Sequence, residues 1–125
     1  TFTVRESLRP RPEQLKSVQG DQCLIQVRES LVPLVSLADL FGMPTEVRDP
    51  AQGTVVVIED DKRCVALVVD ALIGKQEVVI KSLGETFSSV RGIAGGAILG
   101  DGRVGLILDG GGIVSWVTRD VARAA

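Results

Sequence analysis

Three carboxylates are the residues best placed to do chemistry. Asp60 and Asp61 follow the apolar run Val55-Val56-Val57-Ile58 and Glu59, and Asp109 ends Leu106-Ile107-Leu108. Carboxylates gathered at strand ends hold hard cations such as Mg²⁺ through oxygen ligands. Asp109 also lies far enough along the chain to accept a phosphoryl group. A phospho-receiver or Mg²⁺-binding switch built on Asp60, Asp61 and Asp109 is therefore one reading. That switch needs strands alternating with helices, and no long amphipathic helix separates these acids. It also needs a basic residue on a later strand, and only 16 residues follow Asp109. A solvated turn is the better reading of Asp60-Asp61.

Gly100-Asp101-Gly102-Arg103-Val104-Gly105 formally matches G-x-G-x-x-G. A dinucleotide site needs that motif to open a helix, whose N-terminus meets the pyrophosphate. Here a second apolar run follows, Val104 to Leu108, and then Gly110-Gly111-Gly112, which reads as a helix breaker. With Ala97-Ile98-Leu99 on the other side, Asp101-Gly102 reads instead as a hairpin tip in a tight primed turn, with positive φ at Gly102. The chain has no histidine. That removes His-based acid–base catalysis, Ser/His/Asp sets, His/Cys zinc sites and any phospho-accepting histidine. Cys23 and Cys64 form no C-x-x-C and read as buried free thiols. No catalytic, cofactor-binding or metal-binding residue is expected.

The elements that would position these groups are short strands. The chain is 125 residues, enough for one domain with a core of its own. Glycine is plentiful at 14, and aromatics are only 3%, so the core must be built of Val, Ile, Leu and Ala, which favours strands. Strands are expected over Leu24 to Val27, Leu31 to Val35, Thr54 to Glu59, Arg63 to Val69 and part of Glu77 to Leu83. Arg28-Glu29-Ser30 and Asp60-Asp61-Lys62 are the turns of two hairpins. Ser36 caps a short helical turn that Gly42 ends. Arg9-Pro10-Arg11-Pro12 interrupts any ladder, Met43 to Gly53 reads as loop, and a terminal helix is expected from a Thr118 cap. Turn spacing of this kind suggests an all-β barrel or sandwich.

Fourteen basic and 16 acidic residues give a net charge of −2 with no basic stripe, so nucleic-acid binding has no electrostatic support. The longest apolar stretch, Val65 to Val69, cannot span a bilayer, and Thr1 to Arg9 has no signal-peptide pattern. A cytoplasmic chain is expected. Lys75-Gln76-Glu77 and Lys81 could meet an acidic partner, and Arg28 and Glu29 are turn residues that could serve recognition.

Four stretches together carry a resemblance. They are Leu31 to Gly42 (LVPLVSLADLFG), Ala66 to Asp70 (ALVVD), Gly74 to Leu83 (GKQEVVIKSL) and Gly92 to Asp109. On these the chain resembles the CheW-like regulatory domain at the C-terminal end of the chemotaxis histidine kinase CheA, more than the free adaptor CheW. The resemblance covers about Glu6 to Val114. It implies two small SH3-like β-barrels packed through an apolar interface, with one or two short helical turns, in a single domain over 1–125. It also implies a non-catalytic role: coupling the kinase to a CheW-type adaptor and to chemoreceptor cytoplasmic tips, in arrays on the inner face of the membrane.

The adaptor's Arg-Gly turn corresponds to Arg28-Glu29, so the arginine carries over and the glycine does not. Arg28, Glu29, Lys75 and Lys81 are the partner-binding candidates. The resemblance further implies a strand upstream of Glu6-Ser7-Leu8 that Thr1 leaves little of. The chain then reads as cut into the domain, with a strand edge open to self-association. The triple glycine stands where the family is stiffer, so the final turn is expected to be mobile.

Overall fold

The computed structural model describes residues 2–18, 22–81 and 90–124. Among these residues nine strands fall into two sheets, with two α-helices. In chain order they are β1 (Thr3–Leu8), β2 (Leu15–Val18), β3 (Gln22–Val27), β4 (Ser30–Ser36), α1 (Leu37–Leu40), β5 (Thr54–Asp60), β6 (Arg63–Val69), β7 (Val78–Lys81), β8 (Ile93–Leu99), β9 (Val104–Leu108) and α2 (Gly110–Ala124). The first sheet runs β1-β5-β6-β4-β3-β2 and the second β7-β8-β9. All pairings are antiparallel except β4 with β6. The expected all-β class holds.

The first sheet curls around one core. Leu8, Leu15, Ile25, Val32, Leu34, Val55, Val57, Ala66 and Val68 come from all six strands and pack as one cluster. A flat sheet could not bring its two outer strands to the same apolar centre. The central strands are buried on both faces, which explains their unbroken apolar runs. Val55 and Val57 face that core, while Val56 and Ile58 face a second cluster. In the second cluster Val65 and Leu67 of β6 meet Ile113, Val114 and Val117 of α2, with Leu37, Leu40 and Phe41 from the α1 region and Leu108 from β9. This apolar seam joins the first sheet to the helices and to the base of the second sheet. The second sheet supplies three strands among the described residues. Residues 82–89, including part of the strand expected to run to Leu83, lie outside them.

Three hairpins form where the sequence places them. The β3–β4 and β5–β6 turns are two residues each, closed by the pairs Val27↔Ser30 and Asp60↔Arg63. The β8–β9 tip has Gly102 at φ +87°, but it is not a two-residue primed turn. Leu99 N–H reaches Arg103 O at 2.8 Å and Gly102 N–H reaches Leu99 O at 2.9 Å, so three residues form the loop, with glycine in the left-handed last position. Strand β9 follows the glycines, so the G-x-G-x-x-G match opens no helix. Ser36 caps α1 by accepting from Asp39 N–H at 3.3 Å, and Gly42 ends it at φ +67°.

Two expectations are corrected. The triple glycine is not a mobile turn but the first turn of α2, and Asp109, not Thr118, is the cap. Asp109 Oδ1 accepts from Gly112 N–H at 3.0 Å. Thr118 lies within the helix, its hydroxyl donating to Val114 O at 2.7 Å. Crowding by neighbouring side chains favours glycine at the first and third of these positions. A Cβ on Gly110 would collide with the Phe2 ring, and one on Gly112 would lie 2.5 Å from Asp109 Oδ2. Second, Cys23 is exposed and Cys64 half-buried, so neither thiol is a buried apolar residue. Both are free, as expected.

Candidate interaction surface

Residues directly opposed across paired strands share a face, and neighbours along a strand alternate. In the second sheet the register places Val79 opposite Ile98 and Ile98 opposite Val104. The three form one row across the sheet, with exposures of 57%, 38% and 75%. The next row on that face is Lys81, Gly96 and Leu106. Gly96 offers no side chain, so Leu106 stands clear at 54% exposure. The result is an apolar patch of four side chains beside a lysine. Such patches on soluble domains mark contact sites when they are contiguous.

The four expected contact residues do not share one sheet. Arg28 and Glu29 are the β3–β4 turn. Arg28 adopts φ 58°, the left-handed conformation a glycine would usually supply. Its guanidinium is 74% exposed and lies 3.3 Å from Glu6 Oε2. Lys75 lies in the exposed segment between β6 and β7, and Lys81 ends β7. The apolar row was missed in the sequence, because valine and isoleucine in a strand read as core.

Two of the three carboxylates do converge. The Cβ position of Gly111 lies 3.3 Å from Asp60 Oδ2 and 3.8 Å from Asp109 Oδ1. Both acids therefore sit at the N-terminus of α2, where cap hydrogen bonding and the helix dipole favour negative charge. Asp60 also faces Arg63 at 3.9 Å. Asp61 is in the β5–β6 turn at φ 51°. Among the described residues no three potential ligands form a metal cluster. From Thr54 to Leu108 the described elements are strands, not alternating strands and helices. The phospho-receiver reading fails on that topology.

The perturbed titrating groups lie elsewhere, across β1, β5 and β6. A bulge between Val4 and Glu6 re-aims Arg5, whose Nη1 donates to Glu59 Oε2 at 2.6 Å. That hydrogen bond, with a second from the Cys64 thiol, lowers the Glu59 carboxyl below its ordinary range. Burial, then the Glu59 contact, raises the Cys64 thiol. A raised thiol beside a carboxylate is the opposite of an activated nucleophile. A separate open groove of about 730 Å³ lies between β4, α1 and the 43–50 loop, lined by residues including Val35, Leu40, Met43 and Val47.

Residues 1–118 match the CheW-like domain family. The chain belongs to the CheW-like domain family. Its relatives include the chemotaxis protein CheA of Klebsiella aerogenes, 42% identical over 106 residues, which are 85% of this chain and 16% of that protein. CheA of Rhizobium meliloti is 40% identical over 115 residues, 90% of this chain and 15% of that one. The sensor histidine kinase CheAY of Helicobacter pylori is 35% identical over 112 residues, 90% of this chain and 14% of that one. This CheW-like domain thus spans about a sixth of the length of the first of these relatives. Among solved structures, the scaffolding protein TtCheW from Thermoanaerobacter tengcongensis superposes with a TM-score of 0.59 at 19% identity, covering 85% of this chain and 75% of that one. The fold is therefore CheW-like, and the relatedness places the domain in chemotaxis signal transduction. Among the described residues no helix of this CheW-like domain is long and apolar enough to cross a membrane.

Proposed function

We propose that this CheW-like domain is a non-catalytic coupling module of a chemotaxis kinase, joining it to a CheW-type adaptor and to receptor cytoplasmic tips. The observation that carries the reading is the exposed row Val79, Ile98 and Val104 with Leu106. Apolar side chains at a patch centre supply binding energy once desolvated, and flanking charges such as Lys81 and Lys75 steer the encounter. Arg28 and Glu29 offer a separate polar contact on the first sheet. This reading puts the domain in the cytoplasm, at receptor arrays on the inner face of the membrane. The whole kinase would supply the catalysis from other parts of its chain.

Titration calorimetry with a CheW-type adaptor tests it. Ile98→Ser with Val104→Ser should weaken binding at least tenfold while the circular dichroism spectrum stays the same. Arg28→Glu should weaken binding with the fold intact. Binding unchanged in both variants would overturn the assignment.

Self-association through a strand edge is a second reading, favoured by β7. All four of its residues are exposed, and among the described residues only β8 pairs with it. The edge of β5, by contrast, is covered by β1 along Thr3 to Leu8. Sedimentation across a concentration series should show reversible dimers. A strictly monomeric chain at high concentration would remove this reading.

A further inference from the structure

The turn that enters β8 is held against the helices by a small aromatic stack. The Arg91 guanidinium carbon lies 4.6 Å from the centre of the Trp116 ring. Trp116 in turn meets Phe41 edge to face, with centroids 5.9 Å apart and planes at 85°. Beside Phe41, Gly92 is buried at φ +85°. A Cβ there would lie 2.9 Å from Phe41 Cζ and 3.3 Å from Ile113 Cγ1, so only the bare backbone fits. The Gly92 carbonyl accepts from Asp109 N–H at 2.8 Å. The residue after α1, the middle of α2 and the base of the second sheet thus meet at one point. Elsewhere the second sheet is thinly held. Ala97 is its only buried apolar side chain among the described residues.

We propose that Arg91, Trp116 and Phe41 form a latch that fixes the orientation of the three-stranded sheet on α2. The exposed guanidinium lies over a ring face whose quadrupole attracts cations. Phe41 holds that ring from the other element. Because the apolar row and the Arg28 turn lie on different sheets, the latch sets their relative placement. Arg91 is a positioning residue here, and it acts through Trp116.

Native-state hydrogen exchange tests the latch, because the Asp109 amide, at the cap of α2, bonds to the Gly92 carbonyl of the turn that Arg91 anchors and reports the loosening of that turn. In Arg91→Gln the Asp109 amide should exchange about two to five times faster, the factor expected for an exposed cation–π contact. Amides of β5 and β6 should keep their rates. Arg91→Lys retains a cation and should recover most of the protection. Trp116, the sole tryptophan, should shift its emission to the red in the glutamine variant. Trp116→Phe is a second variant that keeps the apolar contact and weakens the cation site, and it should open the junction likewise. Unchanged Asp109 exchange in both variants would overturn the proposal, as would equal acceleration of the β5 and β6 amides.

Discussion

Lys62 occupies a backbone position that suits glycine. It and Asp61 lie at φ 67° and 51° in the two-residue β5–β6 turn. Both central residues of such a turn are left-handed, which costs an L-residue with a long side chain about 1 kcal/mol or more. Lys62→Gly should raise stability by about 0.5–1 kcal/mol, less than the full strain because glycine also loosens the unfolded chain. An unchanged or lower urea midpoint would show the turn to be unstrained. Glu59 ties pH to stability in a definite direction. Its hydrogen bond to Arg5, with a second from Cys64, holds the folded carboxyl below its unfolded value. Its contribution is fully present above the unfolded value and is lost as pH falls through the lowered folded one. Glu59→Gln should flatten that acid limb of the stability profile. Denaturation midpoints of both proteins, followed from neutral pH down through and below the ordinary carboxylate range, would show it, and parallel profiles there would count against the assignment.

Among the elements, α2 departs furthest from its sequence reading. Three consecutive glycines argue against helix on propensity, yet Gly110–Ala124 is helical. Packing decides it: Phe2 lies over Gly110, the Asp60 carboxylate reaches Gly111, and Asp109 closes the first turn. Asp109→Ala should therefore destabilise the domain by about 0.5–2 kcal/mol through the lost cap. A neutral result by thermal melting would mean that the apolar seam alone sets the start of the helix. The β3–β4, β5–β6 and β8–β9 hairpins and α1 were legible because each has its signal within a few residues. Strands β1 and β2 were not. Arg5, Glu6 and Ser7, and Lys16 and Ser17, give them polar faces, and both are outer strands that take their order from β5 and β3. The Arg28 turn could be read as a possible contact. The apolar row could not, since its exposure depends on what fails to cover it.

At the scale of the whole molecule the two sheets are unequally rooted. The first sheet has a core fed by all six strands and a second apolar cluster on its back. The second sheet has the seam at Leu108, the Gly92 turn and one buried alanine. Local opening free energy follows buried apolar contact. Amides of β7 and β8 should therefore exchange at least tenfold faster than those of β5 and β6 in the parent protein. Equal protection would mean that the domain opens only as one unit. The pairing of Leu8 with Val55 and Ser7 with Val56 has a consequence for birth rather than for the finished fold. The ribosome makes β1 before its partner β5, which emerges only after the intervening chain has been synthesised. At about 5–20 residues per second that interval is roughly 2–10 s. For that time β1 is a half-apolar ribbon without a mate, open to chaperones and to neighbouring nascent chains.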